Sequence, residues 1–135
     1  MINDQRPKAE TSTVSMAIKT DQITRLDLLA VKWDITRNSL MRFAMIWALL
    51  NPPADIQRLV ELHRSFKGLP QSMGVNLHAS DIAQLRQLAA SNGITLSRLM
   101  NVAIIQFLEQ IDDQTLDLAQ FIEIPPQKNI LKMPR

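Results

Sequence analysis

The chain has 135 residues, 46% of them apolar, and carries 15 Lys and Arg against 13 Asp and Glu, a formal net charge of +2. That length fits one compact domain, and the absence of cysteine excludes disulfides and thiolate metal sites, which suits a reducing compartment. No apolar run reaches the roughly 18 residues of a membrane span, and the polar start MINDQRPKAETST has no hydrophobic signal region, so a soluble cytoplasmic protein with no membrane partner is expected.

Residues 1–12 read as a disordered arm carrying Arg6 and Lys8. From Thr13 onward, Val14, Met16 and Ile18 alternate with Thr13, Ser15, Ala17 and Lys19, the period-two pattern of a strand with one buried face. Thr20 or Asp21 is the expected cap of a helix in which Ile23, Leu26, Leu29, Ala30 and Trp33 recur at helical spacing. Asp34 follows, where a left-handed residue would close that helix. Thr36 is placed to cap a second helix, with Ile35 and Leu40 spaced as a hydrophobic staple. Leu40–Leu50 is apolar nearly all round, as in a helix buried on several sides, and its methionines read as core.

Asn51-Pro52-Pro53 ends this first unit, 13–51. Residues 52–71 form a linker in which Ile56, Leu59, Val60 and Leu62 point to a helix, stopped by Gly68-Leu69-Pro70. Residues 72–111 then repeat the first unit. A shift of 59 positions sets Leu26 on Leu85, Leu29 on Leu88, Ala30 on Ala89, Ile35-Thr36 on Ile94-Thr95 and Ala44 on Ala103. Met16 and Ile18 fall on Val75 and Leu77 in the same shift, and Gly93 stands where the first copy has Asp34. A strand and two helices cannot bury a core alone, so the copies are expected to share one. In 112–135, Asp112, Asp113, Asp117 and Glu123 mix with Leu116, Leu118, Phe121 and Ile122, which reads as a short acidic helix. Pro125-Pro126 ends it, and a tail with Lys128, Lys132 and Arg135 follows.

Two copies of an alternating strand followed by two helices, the second copy turning its corner on Asn92-Gly93-Ile94-Thr95, resemble the ribbon-helix-helix superfamily of Arc-, MetJ- and CopG-like repressors. The resemblance covers Val14–Asn51 and Met73–Ile111. It implies a mainly α fold with a small two-stranded antiparallel ribbon, in which tandem repeats form an intramolecular pseudo-dimer. It also implies double-stranded DNA as the partner, read in the major groove, which admits such a ribbon. The outward residues Ser15, Ala17 and Lys19 with Gly74, Asn76 and His78 would then meet bases, Ala17 and Asn76 taking the central places. Thr36, Arg37 and Asn38 with Thr95, Ser97 and Arg98, at the starts of the second helices, would hold phosphates.

Because the two outward faces differ, the site read would be asymmetric. Lys19, Arg25, Lys32, Arg37 and Arg42 outnumber Arg86 and Arg98, so the first unit is expected to supply most of the phosphate attraction. A transcriptional repressor is the leading expectation. The alternatives are a DNA-binding accessory factor of conjugative or T-DNA transfer, and an antitoxin-like interaction module whose 112–135 segment docks a protein partner. Self-association on tandem DNA sites is a further partner relation open to this fold. With no Gly-rich phosphate loop and no nucleophile-base pair suggested by spacing, an enzyme is not expected, and neither is a cofactor. His63 and His78 have no partner at metal-ligand spacing, so no metal is expected either.

Overall fold

The computed structural model describes residues 11–112, which are mainly helical with one small sheet. The order is β1 (Thr11–Lys19), α1 (Thr20–Trp33), α2 (Arg37–Leu50), α3 (Ile56–Ser65), β2 (Pro70–His78), α4 (Ala79–Ser91) and α5 (Leu96–Asp112). The expected acidic helix and basic tail lie outside the described residues, as does the arm up to residue 10. Thr11 and Ser12, assigned to the arm by sequence, are strand. Pro70 and Gln71, assigned to the linker, open β2; proline is tolerated at a strand's first residue, where its missing N–H matters least.

The two strands pair antiparallel, with Val14 opposite Val75, Ser15 opposite Gly74 and Met16 opposite Met73. The alternation sorts them as expected on β1: Val14, Met16 and Ile18 are buried while Thr13, Ser15 and Ala17 are exposed. On β2, Val75 and Leu77 are buried, Met73 is half-buried, and Ser72, Gly74 and Asn76 are exposed. One face of the ribbon is therefore core and the other open.

That core is built mainly from α2 and α5. Leu40, Met41, Ala44, Met45 and Ala48 of α2 are buried, and on α5 every residue from Leu99 to Ile105 is buried. Trp47 and Phe107 meet edge to face, with ring centroids 6.5 Å apart. Leu26 and Ala30 of α1 and Ile82, Leu85 and Ala89 of α4 close the flanks.

The corners before α2 and α5 follow local chemistry. Asp34 adopts φ 57° and Gly93 φ 68°, the left-handed geometry that closes a helix and that Asp tolerates better than most residues. Thr36 Oγ1 accepts from the Ser39 amide at 3.0 Å, and Thr95 Oγ1 accepts from the Arg98 amide at 3.1 Å. Both caps therefore form as the sequence suggests. The start of α1 differs. Its cap residue is Lys19, with no side-chain capping bond, and the Asp21 carboxylate instead accepts from the Lys67 amide at 3.0 Å. A contact with the linker has taken the acid that local spacing assigned to the helix.

The linker helix α3 buries Ile56, Leu59 and Val60 and packs on α5, where Arg58 joins Asp55 at 2.6 Å and Glu109 at 2.9 Å. The bond from Arg58 holds the Asp55 carboxyl below its usual range against the opposing effect of burial. At ten residues α3 spans about 15 Å, which carries the chain back so that β2 can run beside β1. Gly68, at φ 104°, makes the turn into β2, and a Cβ there would collide with the Thr20 hydroxyl.

Candidate nucleic-acid interface

The open face of the ribbon consists of three exposed cross-strand pairs, Thr13 with Asn76, Ser15 with Gly74, and Ala17 with Ser72. All six are small or short polar residues, so backbone and side chains alike can approach a flat partner. Thr13 Oγ1 donates to Asn76 Oδ1 at 2.5 Å, which fixes the carboxamide and leaves its Nδ2 to donate outward. At the centre, Gly74 is needed for space: a Cβ would sit 2.9 Å from the Thr13 methyl.

Two residues expected on this face are engaged elsewhere. The Lys19 ammonium donates to the carbonyls of His63, Arg64 and Phe66 at 3.0, 3.3 and 3.1 Å. An ammonium has three donors, so none remains for a base edge. His78 is only 5% exposed, at the junction of β2 and α4. Thr13 and Ser72 take their places on the open face. Parity along each strand was readable from sequence; the register was not. Pairing centred on Ser15 and Gly74, instead of on Ala17 and Asn76, moves the exposed window two residues toward the start of each strand.

The starts of α2 and α5 flank this face. Asn38 Nδ2 donates to the Gly74 carbonyl at 3.2 Å, and Ser97 Oγ accepts from the Ala17 amide at 3.1 Å. Buried Asn101 adds bonds to the carbonyls of Ala17 at 2.8 Å and Ser97 at 3.0 Å. The first turn of α2 is thereby docked on β2 and that of α5 on β1. The side chains of Asn38 and Ser97 hold the helices against the ribbon, so any phosphate contact at these two positions falls to their backbone amides. The cap hydroxyls of Thr36 and Thr95 satisfy the third amide of each helix. The earlier two, of Arg37 and Asn38 and of Leu96 and Ser97, lie in turns that offer no intrahelical acceptor.

Positive charge is distributed unlike the sequence count. Arg37 Nη1 contacts both carboxylate oxygens of Asp27, at 2.9 and 3.1 Å, so the start of α2 is locally neutralised. At the start of α5, Arg98 and the nearby Lys19 and Arg64 surround His63. Burial foremost, and then the fields of Lys19, Arg98 and Arg64, hold the His63 imidazole below its ordinary pKa. Arg64 is itself paired with Glu61 at 2.9 Å.

No group of three or more His, Asp or Glu side chains among the described residues could hold a metal ion. Among the same residues, no single helix is long and apolar enough to cross a membrane. Comparison with protein families, curated proteins and solved structures gives no match.

Proposed function

We propose that this chain is a sequence-specific double-stranded DNA-binding protein, a cytoplasmic transcriptional repressor of tandem ribbon-helix-helix form, whose two halves make an intramolecular pseudo-dimer. The observation that carries this reading is the exposed face of the β1–β2 ribbon, free of bulky side chains and flanked by the starts of α2 and α5. The repeat supports the pseudo-dimer. The 59-residue shift sets Ser15 on Gly74, and these two residues pair with each other at the ribbon's centre. The same shift sets Asn38 on Ser97, and each reaches the opposite half's strand.

A major groove about 12 Å wide admits a two-stranded ribbon. There Asn76 Nδ2 donates to base acceptors, the hydroxyls of Ser15 and Ser72 donate or accept, that of Thr13 accepts, and the Ala17 methyl meets a thymine methyl. The first-turn amides of α2 and α5, with Arg98, hold phosphates on either side and fix the depth of insertion. The outer residues of β1 and β2 differ, so one molecule reads a site without two-fold symmetry. Bound across a promoter, it blocks transcription by occlusion and performs no chemistry of its own.

The test is to sequence genomic fragments retained by the purified protein at about physiological salt, with Asn76→Ala/Ser15→Ala as control, since base contacts and not phosphates carry sequence information. A non-palindromic motif lost in the control is expected. Motifs clustering beside a transfer origin instead of at promoters would assign the same ribbon to DNA transfer. Absence of any motif would remove the DNA reading.

A further inference from the structure

One groove differs from its twin. Arg25, Leu28, Leu29 and Lys32 lie at positions i, i+3, i+4 and i+7 on one face of α1, and with Leu108 and Ile111 of α5 they line an open groove of about 240 Å³. The 59-residue shift carries this set, position for position, onto a second groove lined by Gln84, Gln87, Leu88, Ser91, Leu49 and Pro52. The fold therefore forms this concavity twice. The second copy is furnished with neutral polar side chains, as a solvated surface requires. The first copy replaces Gln, Gln and Ser with Arg25, Leu28 and Lys32, leaving Leu28 67% exposed. Exposing apolar side chains between two cations is costly as plain surface, and it matches a ligand that is both apolar and acidic.

We infer that the occupant is residues 113–124 of this same chain. That segment continues directly from Ile111 and Asp112, at the lip of the groove. It carries Asp113, Asp117 and Glu123 and no Lys or Arg. Leu118, Phe121 and Ile122 stand at i, i+3 and i+4, the spacing of one helix face. Leu118 is seven positions beyond Ile111, and seven residues reach up to about 24 Å, enough to turn back over the groove. The apolar face covers Leu28, Leu29 and Leu108, and the acids meet Arg25 and Lys32. The twin groove, flanked by the chain as it leaves α2 through Asn51-Pro52-Pro53 into the linker, has no such segment beside it and no such chemistry. So short a tether gives an effective concentration in the millimolar range, which favours the chain's own segment over one from a second molecule. This inference does not depend on the DNA reading.

The chain has no cysteine, so a single Leu28→Cys substitution in the full-length protein reports directly on cover. The measurement is the rate of its alkylation by a maleimide, with and without Leu118→Asp/Phe121→Asp, circular dichroism verifying that both variants keep their helices. Alkylation at least about tenfold slower with the native segment, at a protection unchanged by dilution, is the expected result. A second variant, Arg25→Gln/Lys32→Ser, copies the twin groove's residues and should lose part of that protection, more so at low salt. Equal rates with and without the Asp substitutions would overturn the inference. Protection that grows with protein concentration would also overturn it, by assigning the groove to a second molecule.

Discussion

Arg37 and Arg98 both lie in the first turn of a helix that borders the ribbon, yet their surroundings differ. Arg37 and Asp27 form a pair that is 36% and 51% exposed, and such surface pairs contribute about 0–1 kcal/mol. A phosphate could displace the carboxylate at little direct cost, but Asp27 would still repel it. Arg98 stands instead among Lys19, His63 and Arg64, and the start of α5 adds its positive dipole end. On the proposed reading, Arg98→Ala therefore lowers affinity on every DNA sequence and reduces the slope of log affinity against log salt by about one counterion. Arg37→Ala does less on both measures. Salt titrations of binding by fluorescence anisotropy separate the two, and equal losses would show that Asp27 does not neutralise its partner. Counting charges along the sequence assigns Arg37 more weight than this, because a count does not see an Asp ten residues away folded against the same turn.

At the scale of elements, α3 leads the chain into β2 and its end also ties down the last residue of β1. The Lys19 ammonium closes three carbonyls at the end of α3, and the Asp21 carboxylate receives the Lys67 amide beyond it. His63 lies within this joint and is disfavoured as a cation by burial and by its three cationic neighbours. Its folded pKa is therefore below the unfolded value near 6.5. The unfolded chain takes up the proton first as pH falls, so stability is fully present above about pH 6.5 and declines as pH drops toward the folded pKa. The urea midpoint should thus fall between about pH 7.5 and 5.5, a window above the ordinary carboxylate range. His63→Asn should flatten that fall; an identical slope in the variant would place the pH dependence elsewhere. The caps at Thr36 and Thr95 and the left-handed Asp34 were legible in the sequence because each is decided within four residues. The fates of Lys19, Asp21 and His78 were not, since their surroundings come from segments 40 or more residues away or from the register of a strand pair. Among the candidate site residues, those placed by strand parity alone, Ser15, Ala17, Gly74 and Asn76, are on the open face. Those at the ends of the window, where register decides, are not.

Across the whole molecule, one hydrophobic cluster draws on residues from Val14 to Leu108. Val14, Met16 and Ile18 are covered only when β2 pairs with β1 over α2 and α5, and Phe107 of the second half packs its ring against Trp47 of the first. Fully burying one such side chain is worth about 1.5–3 kcal/mol, and a domain's net stability is only about 5–15 kcal/mol, so losing one entire half removes more than the total. Peptides 1–67 and 68–135 are therefore each expected to lack a cooperative unfolding transition as monomers. Mixed together, they should recover the helix content and the transition of the intact chain. Both tryptophans, Trp33 and Trp47, lie in the first peptide, so emission reports on that half alone. Adding the second peptide should bury Trp47 against Phe107 and shift its emission to the blue, saturating at one to one. Phe107→Ala in the second peptide should weaken that assembly, since losing a buried Phe costs about 3–5 kcal/mol. A first peptide that unfolds cooperatively as a monomer would show that the repeat is two domains in series, and the ribbon could then no longer be treated as one surface built by both halves.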